Sequence, residues 1–104
     1  MAPTAVFITH RVRPGQREAV QAVWMKHMAP AIAANPGHEA YFYCADPADP
    51  DAICAFQQYR SPEDAAAFLE TEAYRTYERE VGPLLMGPPE VGRLTPVWSK
   101  PLQA

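Results

Sequence analysis

The sequence predicts one ferredoxin-like α+β domain of order βαββαβ, an antiparallel sheet with its helices on one face. Three observations lead there. Apolar residues alternate with a period of two in four stretches and recur at three and four in two others. The 12 prolines fall mostly at the joints between those stretches. The 104 residues suffice for one hydrophobic core and not for two, so 1–104 is read as a single domain without internal repeats.

Ala5 to Val12 sets Val6, Ile8, His10 and Val12 against Phe7, Thr9 and Arg11, the alternation of a strand, and Pro14-Gly15 stops it. From Gln16 the period lengthens, and Val20, Val23, Trp24, His27, Met28, Ala31 and Ile32 share one side of a helix that Asn35-Pro36-Gly37 ends. His38 to Ala45 has the aromatic composition of a strand. After the turn-forming Asp46 to Asp51 segment, Ala52 to Tyr59 resumes extended chain as an antiparallel neighbour.

Ser61-Pro62-Glu63-Asp64 opens the next helix, because serine caps free amides, proline fits the first turn and acids favour the positive end. Ala65, Phe68 and Leu69 face inward there; after a bend near Thr71, Glu72 to Val81 places Tyr74, Tyr77 and Val81 on one side. Leu84, Leu85 and Met86 follow as an apolar plug. Val91 to Ser99 is the last strand, at an edge or bulge because Pro96 cannot donate a ladder hydrogen bond, and 100–104 is read as a flexible tail.

The strands carry apolar side chains of both parities, so the sheet face left bare by the helices is expected to meet a second copy of the chain in a homodimer. A net charge of -3 with scattered basic residues gives no stripe for a phosphate backbone, so nucleic acid is not an expected partner. Cys44 and Cys54 lack a CxxC or nearby histidine and read as small packed hydrophobes. No run approaches the roughly 20 apolar residues of a membrane span, and the first residues do not resemble a secretory leader, so a soluble cytoplasmic protein is expected.

The polar groups expected to face the helix–sheet interior are His27, His10, Gln57, Tyr59, Tyr74 and Tyr77, with Trp24 and Trp98 as apolar walls. A histidine near neutral pKa can remove a phenolic proton and a tyrosine can donate a hydrogen bond to the resulting oxyanion, a set that suits an acidic aromatic ligand. The plainer alternatives are a boundary histidine satisfied by its neighbours, tyrosines that cap the core, and a core role for Phe68 and the tryptophans. His38, just beyond Pro36-Gly37, is expected at the surface. Metal and nucleotide cofactors are not expected, because the three histidines lie in separate elements and no glycine-rich loop opens a helix.

With these elements in place, the chain resembles the antibiotic biosynthesis monooxygenase family of small ferredoxin-like domains. The likeness rests on Val12-Arg13-Pro14-Gly15, the helix bearing Trp24, the Asn35-Pro36-Gly37 turn, the aromatic second strand, and Phe56-Gln57-Gln58-Tyr59-Arg60-Ser61-Pro62-Glu63 before Phe68 and Tyr74. It implies a dimeric α+β barrel and a cofactor-independent monooxygenase that oxidises a phenolic, quinol-like or polyketide-derived aromatic with dioxygen. On that reading His27, His10, Tyr59 and Tyr74 are catalytic candidates, and Trp24, Gln57, Phe68, Tyr77 and Trp98 contact substrate. Many members have glutamate in place of Gln57 and tryptophan in place of Tyr59. Phe68 stands where haem-degrading relatives have an iron-holding histidine, which leaves the chain ill-equipped for haem. A non-catalytic ligand-binding dimer and a non-oxidative cyclase or isomerase are the alternatives, since fold does not decide activity.

Overall fold

A computed structural model describes residues 2–100. Its elements are β1 (Thr4–Arg11), α1 (Arg17–Ala34), β2 (His38–Ala45), β3 (Ala52–Tyr59), α2 (Pro62–Phe68), α3 (Glu72–Val81), a 3₁₀ turn (Gly82–Leu84) and β4 (Glu90–Leu94). The order is the expected one, and the anticipated bend near Thr71 separates α2 from α3. Thr71 accepts a hydrogen bond from the Tyr74 amide and so caps α3, as Ser61 caps α2 by accepting from Asp64.

All pairings are antiparallel, and the strands lie side by side as β2-β3-β1-β4. The sheet is therefore open, and the barrel expected from the family resemblance is corrected. β2 and β4 are opposite edges with no pairing between them, and four strands are too few to curl the sheet closed. β4 is also shorter than the expected Val91 to Ser99: it stops at Leu94, before Pro96. Of the tail expected over 100–104, the residues beyond Lys100 lie outside the described residues.

Register fixes which side chains share a face. Across the sheet, Tyr41, Gln57, Val6 and Arg93 form one row and Tyr43, Ala55, Ile8 and Val91 the next, both beneath the helices. The opposite face carries the rows Phe42, Phe56, Phe7, Gly92 and Cys44, Cys54, Thr9, Glu90. α1 lays Val20, Trp24 and Met28, each one turn apart, onto the inner face, where they join Ile53, Tyr59, Phe68, Tyr77 and Val81 in the core.

Two loops hold these rows in place. Gly37 leaves little room for a side chain, since an added Cβ would stand 3.0 Å from Asp64 Cβ, and its carbonyl accepts from the Arg60 amide. This close approach seats the start of β2 against the α2 entry. At the other end Arg17 Nη1 donates to the carbonyls of Asp46, Asp49 and Ala52, which closes the long β2–β3 connection.

Candidate functional site

Between the inner sheet face and the helices lies a cavity of about 300 Å³. Its floor is the two inner rows with Thr4, Tyr59 and His10; its roof is Trp24 and Met28 from α1, Ala65, Ala66 and Phe68 from α2, and Tyr74 and Tyr77 from α3. All five tyrosines of the chain line it; among the described residues no carboxylate does, and Arg93 at the β4 edge is the one permanently charged side chain of the lining. The wall is mostly apolar and aromatic with a few polar groups, the general make-up of a small-molecule site.

The polar groups of the wall are unevenly satisfied. Tyr59 Oη donates to Gln57 Oε1 at 2.6 Å, which fixes the amide and leaves Nε2 buried without a partner. Trp24 Nε1 is likewise buried and unpartnered, while its ring stacks on Tyr43 at 4.2 Å between centroids. Both N–H groups lie near the Tyr41 hydroxyl, yet neither makes a hydrogen bond of normal geometry to it. Burial raises Tyr41 to about 12 against the opposing pull of those donors, and burial also raises Tyr43, Tyr59 and Tyr77. The tyrosines are therefore neutral donors at neutral pH.

His10 lines the opposite end, its Nδ1 buried and unpartnered, and burial lowers its pKa. It lies four positions along β1 from Val6, the partner of Gln57, a backbone span of about 13 Å. A single small ligand atom does not touch both ends.

Of the residues expected in the site, the structure brings His10, Gln57, Tyr59, Tyr74, Tyr77, Trp24 and Phe68 to one cavity. It does not bring His27 there. Trp24 and Met28 take the inward positions of α1, and His27 is rotated to the flank against α3, where Nε2 lies 2.9 Å from Glu80 Oε2. Trp98 is also corrected: with β4 ending at Leu94 the strand alternation no longer sets its side, and it stands 80% exposed over a groove on the outer face.

Tyr41, Tyr43 and Arg93 line the cavity but were not singled out from sequence; their signal was parity, since Tyr41 and Tyr43 alternate with Phe42, and Arg93 with Gly92. His38 is not at the surface. A bulge between His38 and Ala40 turns it inward behind the wall, with its ring 4.4 Å from Tyr59 and 4.6 Å from Phe68. Asn35 Oδ1 accepts from the Gly37 amide, so Asn35 Nδ2 donates to His38 Nδ1 at 2.9 Å. The network thereby assigns the neutral ring's proton to Nε2, which is buried without a partner.

Among the described residues no three histidine, cysteine or acidic side chains gather as a metal set, and no helix is long and apolar enough to cross a membrane. A family model described as antibiotic biosynthesis monooxygenase matches residues 3–80. No curated protein matches the chain. Among solved structures, a candidate antibiotic biosynthesis monooxygenase from Chloroflexus aurantiacus J-10-fl is 26% identical, with a TM-score of 0.84 over 98% of this chain and 100% of its own. Rv0793 from Mycobacterium tuberculosis is 28% identical, with a TM-score of 0.82 over 94% of this chain and 98% of its own. A Caulobacter crescentus CB15 protein reaches a TM-score of 0.86 at 20% identity over 93% and 92%, a likeness of fold.

Proposed function

The chain belongs to the antibiotic biosynthesis monooxygenase family, and from that premise we propose that it oxidises a conjugated phenolic substrate with dioxygen, using no cofactor beyond the substrate's own electron-rich anion. The observation that carries this reading is the pair of buried, unpartnered donors, Gln57 Nε2 and Trp24 Nε1, in a cavity without a carboxylate. Unpartnered buried donors are costly in a folded chain. A ligand oxygen that accepts from both removes the cost, and an oxyanion does so better than a neutral carbonyl.

The 13 Å scale of the floor sets the division of labour. Neutral His10 takes the proton of a substrate hydroxyl at one end, and conjugation carries the charge to an oxygen held by Trp24 and Gln57 at the other. Tyr59 keeps the Gln57 amide turned so that Nε2, not Oε1, meets that oxygen. Tyr41 adds a hydroxyl donor, Tyr74 adds one only on turning away from Glu78 Oε2, to which its hydroxyl donates at 3.5 Å, and Tyr77 and Phe68 flank the ring plane. The carbanionic ring carbon then gives one electron to dioxygen and couples with the resulting superoxide. Loss of water from the hydroperoxide leaves a second carbonyl, so that one ring C–H, one phenolic O–H and O₂ become a quinone and H₂O.

Phe68 in an apolar position of the wall favours this over iron-dependent chemistry at the same place. The same reading has two copies associate through the outer face, where Phe7, Phe42 and Leu94 are exposed. It also has the protein in the cytoplasm, where thiols are held reduced and a disulfide forms only transiently.

The experiment is oxygen uptake with anthrone- and naphthol-type substrates. One O₂ consumed per quinone formed is expected, and Trp24→Phe, which keeps an aromatic ring and removes the N–H, should lower kcat/KM roughly 100-fold in a variant that still folds cooperatively, with some fall in Tm from the smaller ring. Product formed without oxygen would assign a cyclase or isomerase. Saturable binding without turnover would make the protein a ligand-binding dimer.

A further inference from the structure

The cavity leaves the Cys44 and Cys54 thiols unused, and the register places them directly opposite one another on adjacent antiparallel strands, on the outer face. Directly paired residues have Cα atoms about 4.5–5.5 Å apart with Cβ atoms on the same side, inside the span of a disulfide. Packing as small hydrophobes does not account for the pair, because Cys44 is exposed and Cys54 half-buried. Cys54 Sγ stands 3.9 Å from Thr9 Oγ1 on the neighbouring β1, and a bond to Cys44 turns it toward β2 instead.

We propose that Cys44 and Cys54 form a reversible intrachain disulfide that braces the edge strand β2 against β3. β2 has a neighbour on one side only, yet it supplies Tyr41 and Tyr43 to the cavity wall, so a crosslink here fixes a wall that is otherwise held by a single ladder. The bond closes the Asp46 to Asp51 loop, which Arg17 already ties at its base. The pair lies one row from the exposed phenylalanines and one row from Arg11, which pairs with Asp49 of the loop, and Cys44 is exposed to a small oxidant.

The oxidant is a low-molecular-weight disulfide, RSSR. The Cys44 thiolate attacks one of its sulfurs and expels RS⁻, which takes up a proton. Cys54, after losing its proton, attacks the Cys44 sulfur of the mixed disulfide and expels the second RS⁻. Two protein thiols are oxidised by two electrons, RSSR is reduced to two RSH, and excess thiol runs the sequence backward.

The test incubates the full chain with oxidised glutathione, blocks remaining thiols with iodoacetamide and measures intact mass. The expected product has lost two hydrogens, takes up no alkyl group and reverts with dithiothreitol. Cleavage before the aspartates of the loop should give two fragments that separate only on reduction. Oxidation should raise Tm by roughly 5–10 °C, and Cys44→Ser and Cys54→Ser should each abolish that rise. Thiols that stay alkylatable, glutathione retained on both cysteines, or chains crosslinked to one another would each overturn the proposal.

Discussion

Acidification tests the half-buried His38 directly. Burial lowers its pKa from 6.5 to about 4 in the folded chain, and its ring offers no relief, with Nδ1 occupied by Asn35 and Nε2 facing no acceptor. Between those two values the unfolded chain holds a proton that the folded chain does not, so stability falls as pH falls across that window. Above the unfolded pKa and below the folded one, this group contributes no slope. A displacement of this size corresponds to at most about 3 kcal/mol, and because the ring is only half-buried the expected loss is about 1–2 kcal/mol between roughly pH 7.5 and pH 4.5. Burial lowers His10 in the same direction, so the informative quantity is the difference between wild type and His38→Phe. Urea unfolding at both pH values measures it. His38→Phe loses the Asn35 bond and should start lower at neutral pH, but its decline on acidification should be smaller than that of the wild type by about 1–2 kcal/mol. Parallel declines in the two proteins would refute the assignment of a neutral, buried imidazole.

Three further outcomes follow from placement. Arg93→Gln removes the one permanent charge of the cavity wall, and it should raise KM for acidic phenols roughly tenfold while moving kcat less than about threefold; equal losses for neutral and acidic ligands would count against charge recognition. His27→Gln should change kcat/KM by less than about threefold, because the imidazole faces Glu80, and a hundredfold fall in a folded variant would show that the ring acts in the cavity after all. On the proposed pairing of two copies through the outer face, the wild type should scatter with about twice the 11.5 kDa of one chain and Phe42→Glu, which places a charge in the exposed phenylalanine row, with about the mass of one; a wild type that scatters as one chain would refute the pairing, and a doubled mass kept by the variant would refute this face as its site.

The element order was legible because local chemistry and tertiary structure agree. Pro14-Gly15, Asn35-Pro36-Gly37 and Ser61-Pro62 each stop or start an element through backbone geometry that the residues themselves impose, so no long-range information is needed. The site was legible only where strand parity or helix phase survives intact. Val6, His10, Gln57 and Tyr59 fall on the inner face by simple alternation, whereas the bulge at His38 shifts its phase by one and hides an inward histidine in a sequence that looks solvent-exposed. His27 shows the matching limit for helices. An apolar stripe is broad enough to hold Trp24, His27 and Met28 together, but only its centre meets the sheet, and its margin meets whichever helix packs alongside.

The cavity itself depends on a contrast of sizes that no single element displays. Trp24 and Phe68 reach down from the helices to the sheet, with Phe68 set edge-on against His38, while Ala55 in the floor and Ala65 and Ala66 in the roof fall short of one another. Close-packed interiors leave few voids, so a space of about 300 Å³ persists only where long side chains are braced by neighbours that cannot move into it. Trp24 is held by its stack on Tyr43, and Tyr59 and Phe68 by the His38 ring that each of them packs against, so each large residue is fixed by a partner on a different element. Reading that from sequence requires knowing that Tyr43 lies opposite Ala55 and Tyr41 opposite Gln57. That pairing is set by the register of β2 on β3 across a connection that the Arg17 guanidinium closes, and the small residues matter only once it is known.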